Sequence, residues 1–312
     1  MSQEPLRVLY AGTPETAVPP LEALHEDPRL QVVAVLTRED APVGRKKTMT
    51  PSAVARRAEE LGLPVLKANR VGPELHDALR ATGADIAAVV AYGALLPRPA
   101  LELFEHGWIN LHFSLLPQWR GAAPVQRALM AGDRVVGATT FVLDRGMDTG
   151  PVVGTLTDEV SDEDTAGTVL DRLAHSGAPL LAESLLGVAS GAVHPEPQRG
   201  EASAAPKLTG PDARITWSHP AVAVAHHVRG VTPEPGAWTE FEGQRVKIER
   251  VVPTPRITGI APGRVEIRDR QVFVGTGSYA VELTRVQPAG KKSMAALDWA
   301  RGKQHMEQVA FV

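Results

Sequence analysis

The residues best placed to do chemistry lie in WINLHFSLLPQWRGAAPVQRALMAGD, residues 108–133, and in LDRGMDTG, residues 143–150. Asn110 and His112 stand two apart at the end of a short β-favouring run, so strand alternation puts both side chains on one face. The second cluster supplies Asp144 and Asp148 in a polar, glycine-bounded loop after the next strand. A carboxamide N–H holds a developing oxyanion. An imidazole carries a proton or donates to that oxyanion, and a carboxylate orients the ring or raises its pKa. Singly, each residue has a bland reading: a strand-end Asn forms turns, a lone His is usually structural, and Asp144 caps a turn. Gathered on one rim, Asn110, His112 and either Asp144 or Asp148 point to a site. The chain has no cysteine, and Ser114 sits in an apolar, proline-ended turn without a base motif beside it. The pattern therefore reads as acyl transfer directly between two substrates, without a covalent enzyme intermediate.

Such a site needs elements that hold it. Residues 6–12, 31–38, 63–68, 84–91, 108–112 and 135–143 read as strands. Helical spacing over 16–26, 51–62, 73–82 and 122–133 alternates with them, and a long helix is predicted over about 165–189. Strand runs apolar on both faces, alternating with helices, predict a doubly wound, mostly parallel α/β sheet, whose C-terminal strand edge is where ligands bind. If the strands bearing Asn110 and residues 135–143 are neighbours, both clusters lie at that edge. Gly12, after the first strand, is the single glycine of its turn; neither the dinucleotide fingerprint nor a P-loop is present, which disfavours a nucleotide-dependent dehydrogenase or ATPase.

After residue 190 the pattern changes. Residues 191–209 are rich in Gly, Pro, Ala and Ser without periodicity, and read as a linker. One helix over 219–230 is followed by short alternating runs, AWTEFEG, QRVKIERVV, GRVEIRDR, QVFVGTG and YAVELTRVQ, at intervals of about ten residues, which predicts a small OB-like β-barrel over 210–312. The division expected is thus a catalytic domain over 1–190, a linker over 191–209 and a C-terminal domain over 210–312.

Composition fits this plan. The 312 residues are 43% hydrophobic and 22% charged, in the globular range. The absence of cysteine removes disulfides and thiolate metal sites, and no apolar run approaches the ~20 residues of a membrane span. The N-terminus lacks the pattern of a signal peptide. A cytoplasmic protein, away from membranes, is expected. The net charge of −3 hides an asymmetry: residues 1–205 carry 18 Lys+Arg against 26 Asp+Glu, the remainder 15 against 10. A basic C-terminal segment suits a polyanionic partner, or is a chance surface imbalance.

INLHFSLLPQWRGAAPVQRA followed by MDTGPV closely resembles the folate-dependent formyltransferases, with their Asn-x-His pair, SLLP turn and later Leu/Met-Asp-x-Gly motif. The resemblance implies a Rossmann-like formyltransferase domain and catalytic roles for Asn110, His112 and Asp148 rather than Asp144. It places a folate pocket at AYGALLP, through Tyr92, Gly93, Leu95 and Leu96, and at Ser114, Leu115, Leu116, Pro117 and Asp144. LYAGTPETAVPPLEAL at the start, GRKKTMTPS at 44–52, APKLTGPDARITWS at 205–218 and VQPAGKKSM at 286–294 are similar to the members that formylate an aminoacylated initiator tRNA. This implies 10-formyltetrahydrofolate as co-substrate, no metal and methionyl initiator tRNA as acceptor; a monomer is expected because no exposed apolar stripe stands out. It also implies tRNA contacts from Arg45, Lys46, Lys47, Lys207, Lys291 and Lys292. In the expected mechanism, Asn110 and a protonated His112 hold the oxyanion and Asp148 supports the imidazolium. Other amine acceptors (a nucleotide sugar or purine precursor), hydrolysis of formyltetrahydrofolate, and RNA binding without catalysis are the alternatives.

Overall fold

The computed structural model describes residues 4–44, 46–303 and 310–312. A seven-stranded sheet organises the first part of the chain. Its strands are β1 (Leu6–Gly12), β2 (Leu30–Thr37), β5 (Val65–Lys67), β6 (Ile86–Val90), β7 (Trp108–His112), β8 (Val135–Val142) and β9 (Val152–Glu159), in the order β5-β2-β1-β6-β7-β8-β9. β3 (Ala41–Val43) and β4 (Thr48–Thr50) form a separate antiparallel hairpin. The helices of this part are α1 (Val18–Glu26), α2 (Ala53–Glu60), α3 (Pro73–Ala81), α4 (Arg98–Leu101), α5 (Pro124–Ala131) and α6 (Ala166–Ala189).

The sheet is parallel from β5 to β7, and β8 runs antiparallel to β7. Leu9, Ala11, Ala34, Leu36, Ala87 and Val89 pack on one face with Leu79 of α3 and Ala100 of α4. Val8, Tyr10, Val35, Ile86, Ala88 and Val90, of opposite parity, are buried as well. Both faces are therefore covered, as unbroken apolar strands require. Local signals end the helices: the Ser52 hydroxyl accepts from the Ala55 N–H at the start of α2, and Gly62 at φ 70° follows its end. Gly12 is explained by space. A Cβ there would stand 2.9 Å from the Tyr10 ring and 3.0 Å from the Val90 carbonyl.

The chain packs as two compact units: residues 1–124, 135–158 and 170–205, and residues 125–134, 159–169 and 206–312. The second unit contains α7 (Ala221–Gly230), α8 (Ala296–Arg301), β10 (Trp238–Phe241), β11 (Gln244–Pro253), β12 (Val265–Arg268), β13 (Gln271–Val274), β14 (Val281–Pro288) and β15 (Met294–Ala295). Its antiparallel sheet has the order β10-β11-β14-β13-β12, with β15 paired to β14. Four aromatic rings sit within its largely aliphatic core. Phe311 stacks on Trp217 at 5.4 Å and on Trp299 at 5.8 Å, and Phe241 meets Trp299 edge-on at 5.2 Å. Arg245 and Arg214 lie over the Trp238 ring at 4.2 and 5.4 Å. No helix among the described residues is long and apolar enough to cross a membrane.

Candidate active site

Strand β7 sets the site. Leu111 points to the face covered by α6, where a Cβ on Gly177 would stand 3.1 Å from it. Asn110 and His112, of opposite parity, face the other way, with Asn110 beside Val89 and Phe141 in register. Asn110 is half-buried, and its carboxamide has no hydrogen-bond partner among the described residues. His112 is 6% exposed, its ring edge-on to Phe141 at 6.4 Å.

The imidazole is held from one side by backbone. Nε2 lies 3.0 Å from the Trp119 carbonyl oxygen. A carbonyl only accepts, so Nε2 carries the hydrogen. Nδ1 faces Asp148, with Oδ2 at 3.9 Å, beyond direct hydrogen-bond length. Burial lowers the His112 pKa below its ordinary value; the Asp148 charge and the Trp119 carbonyl oppose that shift without cancelling it. The resting ring is therefore neutral at pH 7, with a free lone pair on Nδ1. The protonated His112 of the expected mechanism must therefore take up its proton during the reaction, because burial outweighs the nearby carboxylate.

Asp148 arrives by a route that strand alternation does not predict. β7 and β8 are neighbours, but antiparallel, so β8 ends beside Ile109, about 10 Å along the strand from His112. The connection from β8 to β9 then brings Asp148 back to the imidazole, with φ 54° at Asp148. Its Oδ2 accepts the Gly121 N–H at 2.7 Å. Asp144 stays in the loop: its Oδ1 accepts from the Gly146 N–H at 2.9 Å and the Thr149 hydroxyl at 2.7 Å, a local turn cap.

The other predicted residues divide. Tyr92 turns inward, 2% exposed, and its hydroxyl donates to the Ala68 carbonyl, so its ring belongs to the core. Gly93 takes φ 84°, and its carbonyl accepts from Arg38 at 2.7 Å, while the Thr13 hydroxyl donates to the Tyr92 carbonyl at 2.9 Å. Arg38 and Thr13 thus fix the backbone of the loop after β6, a role their sequence context does not signal. Leu95 is 73% exposed and Leu96 partly buried. The Ser114 hydroxyl donates to the Gln118 carbonyl at 2.6 Å, and the Thr139 hydroxyl joins the Ser114 carbonyl to the Leu116 N–H. The Ser114 hydroxyl therefore shapes the Ser114–Pro117 turn itself, in which Leu115 packs where a Cβ on Gly137 would meet it. Lys46 and Lys47 lie exposed in the β3–β4 turn, Lys207 is exposed, and Lys291 and Lys292 are exposed in the turn between β14 and β15. Arg45 lies outside the described residues. Among the described residues, no group of three or more His, Cys, Asp or Glu is placed to hold a metal ion.

The stretch that reads as a linker is built into the site instead. Glu196 pairs with Val152, and Ala204 with Arg120. Gln198 Nε2 donates to the carbonyls of Asp148 and Gly150, both at 2.9 Å, and its Oε1 accepts from the Arg120 guanidinium at 2.6 Å. The Ser203 hydroxyl accepts the Trp119 N–H at 2.8 Å.

Known proteins resemble this chain over nearly its whole length. Residues 6–185 match the formyl transferase family and residues 207–304 its C-terminal domain. The methionyl-tRNA formyltransferase of Arthrobacter sp. is 57% identical over 306 residues, 98% of this chain and all of that protein. That of Streptomyces coelicolor is 52% identical over 304 residues, 97% of this chain and 98% of the relative. Among solved structures, a methionyl-tRNA formyltransferase from Clostridium thermocellum superposes with a TM-score of 0.55 at 13% identity, covering 80% of this chain and 94% of that one. An N-formyltransferase from Helicobacter canadensis, in complex with folinic acid and dTDP-3-aminofucose, gives 0.68 at 16% identity, covering 91% and 99%. These two likenesses speak for the fold.

Proposed function

The chain belongs to the methionyl-tRNA formyltransferase family, and from that premise we propose how its own residues carry out the family's reaction. The enzyme moves the formyl group of 10-formyltetrahydrofolate onto the free α-amine of methionyl initiator tRNA. The bond from the formyl carbon to N10 breaks and a bond to the amine forms. The observation that carries the assignment of residues is the Asp148 carboxylate 3.9 Å from the His112 ring, with Asn110 two residues before His112 on the same face of β7.

The neutral amine attacks the formyl carbon, and negative charge gathers on the formyl oxygen. The unpartnered Asn110 carboxamide donates to that oxygen, as a preorganised donor worth about 10²–10³ in turnover. Attack leaves a proton on the nitrogen of the acceptor. His112 takes it at Nδ1, since Nε2–H is already held by Trp119. Asp148 stabilises the imidazolium while it lasts, and the proton then passes to N10 as folate leaves. Folate lies along the loop after β6 and the Ser114–Pro117 turn, through Gly93, Leu95, Leu96, Leu115, Leu116 and Pro117; Tyr92, Ser114 and Asp144 shape the backbone around it. Phosphates of the tRNA meet exposed cations, Lys46 and Lys47 beside Arg45, and Lys207, Lys291 and Lys292 in the second unit. The enzyme works as a cytoplasmic monomer.

The test is an acid-gel shift assay with methionylated initiator tRNA and 10-formyltetrahydrofolate, with elongator methionyl tRNA and glutaminyl tRNA alongside. Formylation of the initiator species alone is the expected result. Formate released without formylated tRNA would replace transfer with hydrolysis.

A further inference from the structure

Residues 196–205 run beside the loops that bear Trp119 and Asp148. Its backbone is tied at both ends. Glu196 and Val152 exchange two bonds, at 2.7 and 2.8 Å. At the other end the Arg120 N–H donates to the Ser203 carbonyl, the Ala205 N–H to the Arg120 carbonyl, and the Ala123 N–H to the Ala205 carbonyl. Gly121, at φ 126°, permits this approach, because a Cβ there would stand 2.6 Å from the Ala205 oxygen.

Two side chains between those ends act on the two halves of the site. Gln198 grips the carbonyls of Asp148 and Gly150, on either side of Thr149, in a loop whose Asp148 has left-handed backbone. The other end of the same amide holds Arg120, the neighbour of the Gly121 N–H that binds the Asp148 carboxylate. Ser203 holds the Trp119 N–H, and the carbonyl of Trp119 holds His112 Nε2. Asp148 and His112 reach one another from separate loops, and this one segment fastens both loops.

We propose that Gln198 and Ser203 are positioning residues that set the distance and orientation of Asp148 relative to His112, so that residues 196–205 work as a strap of the catalytic site. The proposal rests on the reading of His112 and Asp148 as the catalytic pair. Because backbone bonds anchor both ends of the strap, removing either side chain leaves the segment in place and frees the loop it held. Misplacement of about 1 Å costs on the order of 10²-fold in rate. Gln198→Glu keeps the shape and the acceptor for Arg120, but loses the donor to both carbonyls and sets a negative charge against them. Ser203→Ala loses the acceptor for Trp119, and Ser203→Thr restores a hydroxyl.

The experiment measures kcat and KM for initiator methionyl-tRNA and for 10-formyltetrahydrofolate, with thermal unfolding of each variant, for the full-length enzyme. Gln198→Glu should lower kcat by about 10–100-fold with both KM values and the unfolding midpoint close to wild type. Ser203→Ala should lower kcat by less, and Ser203→Thr should recover it. Wild-type kcat in both Gln198→Glu and Ser203→Ala, or losses that only follow the unfolding midpoint, would overturn the strap. His112→Ala and Asp148→Ala run in the same assay. If they are nearly inactive while the strap variants turn over normally, only the strap fails. If they too keep full turnover, the catalytic pair itself is wrong and the strap falls with it.

Discussion

In the first unit four polar side chains around His112 are each matched to a particular backbone group, Ser114 to Gln118, Thr139 to Ser114, Asp148 to Gly121 and Gln198 to Asp148, while Asn110 is left to meet the substrate. In the second unit the interior is apolar, mostly valine, isoleucine and alanine around the rings of Trp217, Phe311, Trp299 and Phe241, and the cations Lys207, Lys291 and Lys292 stand in solvent. One region stores precision in buried hydrogen bonds, where leaving a group unmatched is expensive. The other keeps a rigid apolar frame and presents charge on long, flexible stems, which suits a partner recognised by its phosphates. Damage to the first should appear in turnover, and damage to the second in stability or in tRNA affinity.

The largest effect should come from the aromatic frame. Phe241→Ala removes a ring that touches both Trp299 and Phe311, and should cost about 3–5 kcal/mol in urea denaturation. Turnover at saturating tRNA, measured where the variant is folded, should stay close to wild type; a matching collapse of kcat would erase the contrast between the units. Next, Asn110→Ala should reduce kcat by about 10²–10³ with folate KM little changed. A loss confined to KM would remove the oxyanion role. A smaller change is expected from charge reversal at Lys291 and Lys292, or at Lys46 and Lys47. Each pair should raise KM for tRNA and spare KM for folate. The dependence of log affinity on log salt should flatten by about one unit for each phosphate no longer neutralised. Identical salt slopes in wild type and variants would show these cations facing water only.

The subtlest test concerns protons. His112 should titrate below the ordinary 6.5, because burial outweighs the Asp148 charge. The ring is then neutral above that lowered pKa and becomes cationic only as pH falls through it. Asp148→Asn removes an influence that raises the pKa, so the midpoint should move lower still, as read from ring chemical shifts by NMR. An upward movement would mean that Asp148 does not act on the ring as an anion.

Much of this is readable from residues alone, for a physical reason. Asn110 and His112 follow from strand alternation, which depends on nothing distant, and the alternating strands and helices of the sheet follow from apolar periodicity. Asp148 does not. Its choice over Asp144 comes from resemblance to a family, because the antiparallel course of β8 and the return of the following loop leave no periodic trace. The inward turn of Tyr92 is equally hidden, since an aromatic residue in a loop reads the same whether it lines a pocket or fills a core. Gln198 and Ser203 escape a reading of the sequence because Gly, Pro, Ala and Ser in succession look like a linker. Backbone pairing of single residues, as at Glu196 and Ala204, imposes no pattern on the side chains around it.

The strap has one more property. Between its tied ends, Arg199 is 86% exposed in its side chain and Gly200 follows it. A tryptic nick after Arg199 would leave Gln198 on one fragment and Ser203 on the other, with every backbone bond that anchors the two ends still available. The nicked enzyme would have the same residues in the same places and no covalent link between the two grips. Limited proteolysis therefore offers a way to separate the contacts of this segment from its continuity, on a protein whose sequence has not been changed.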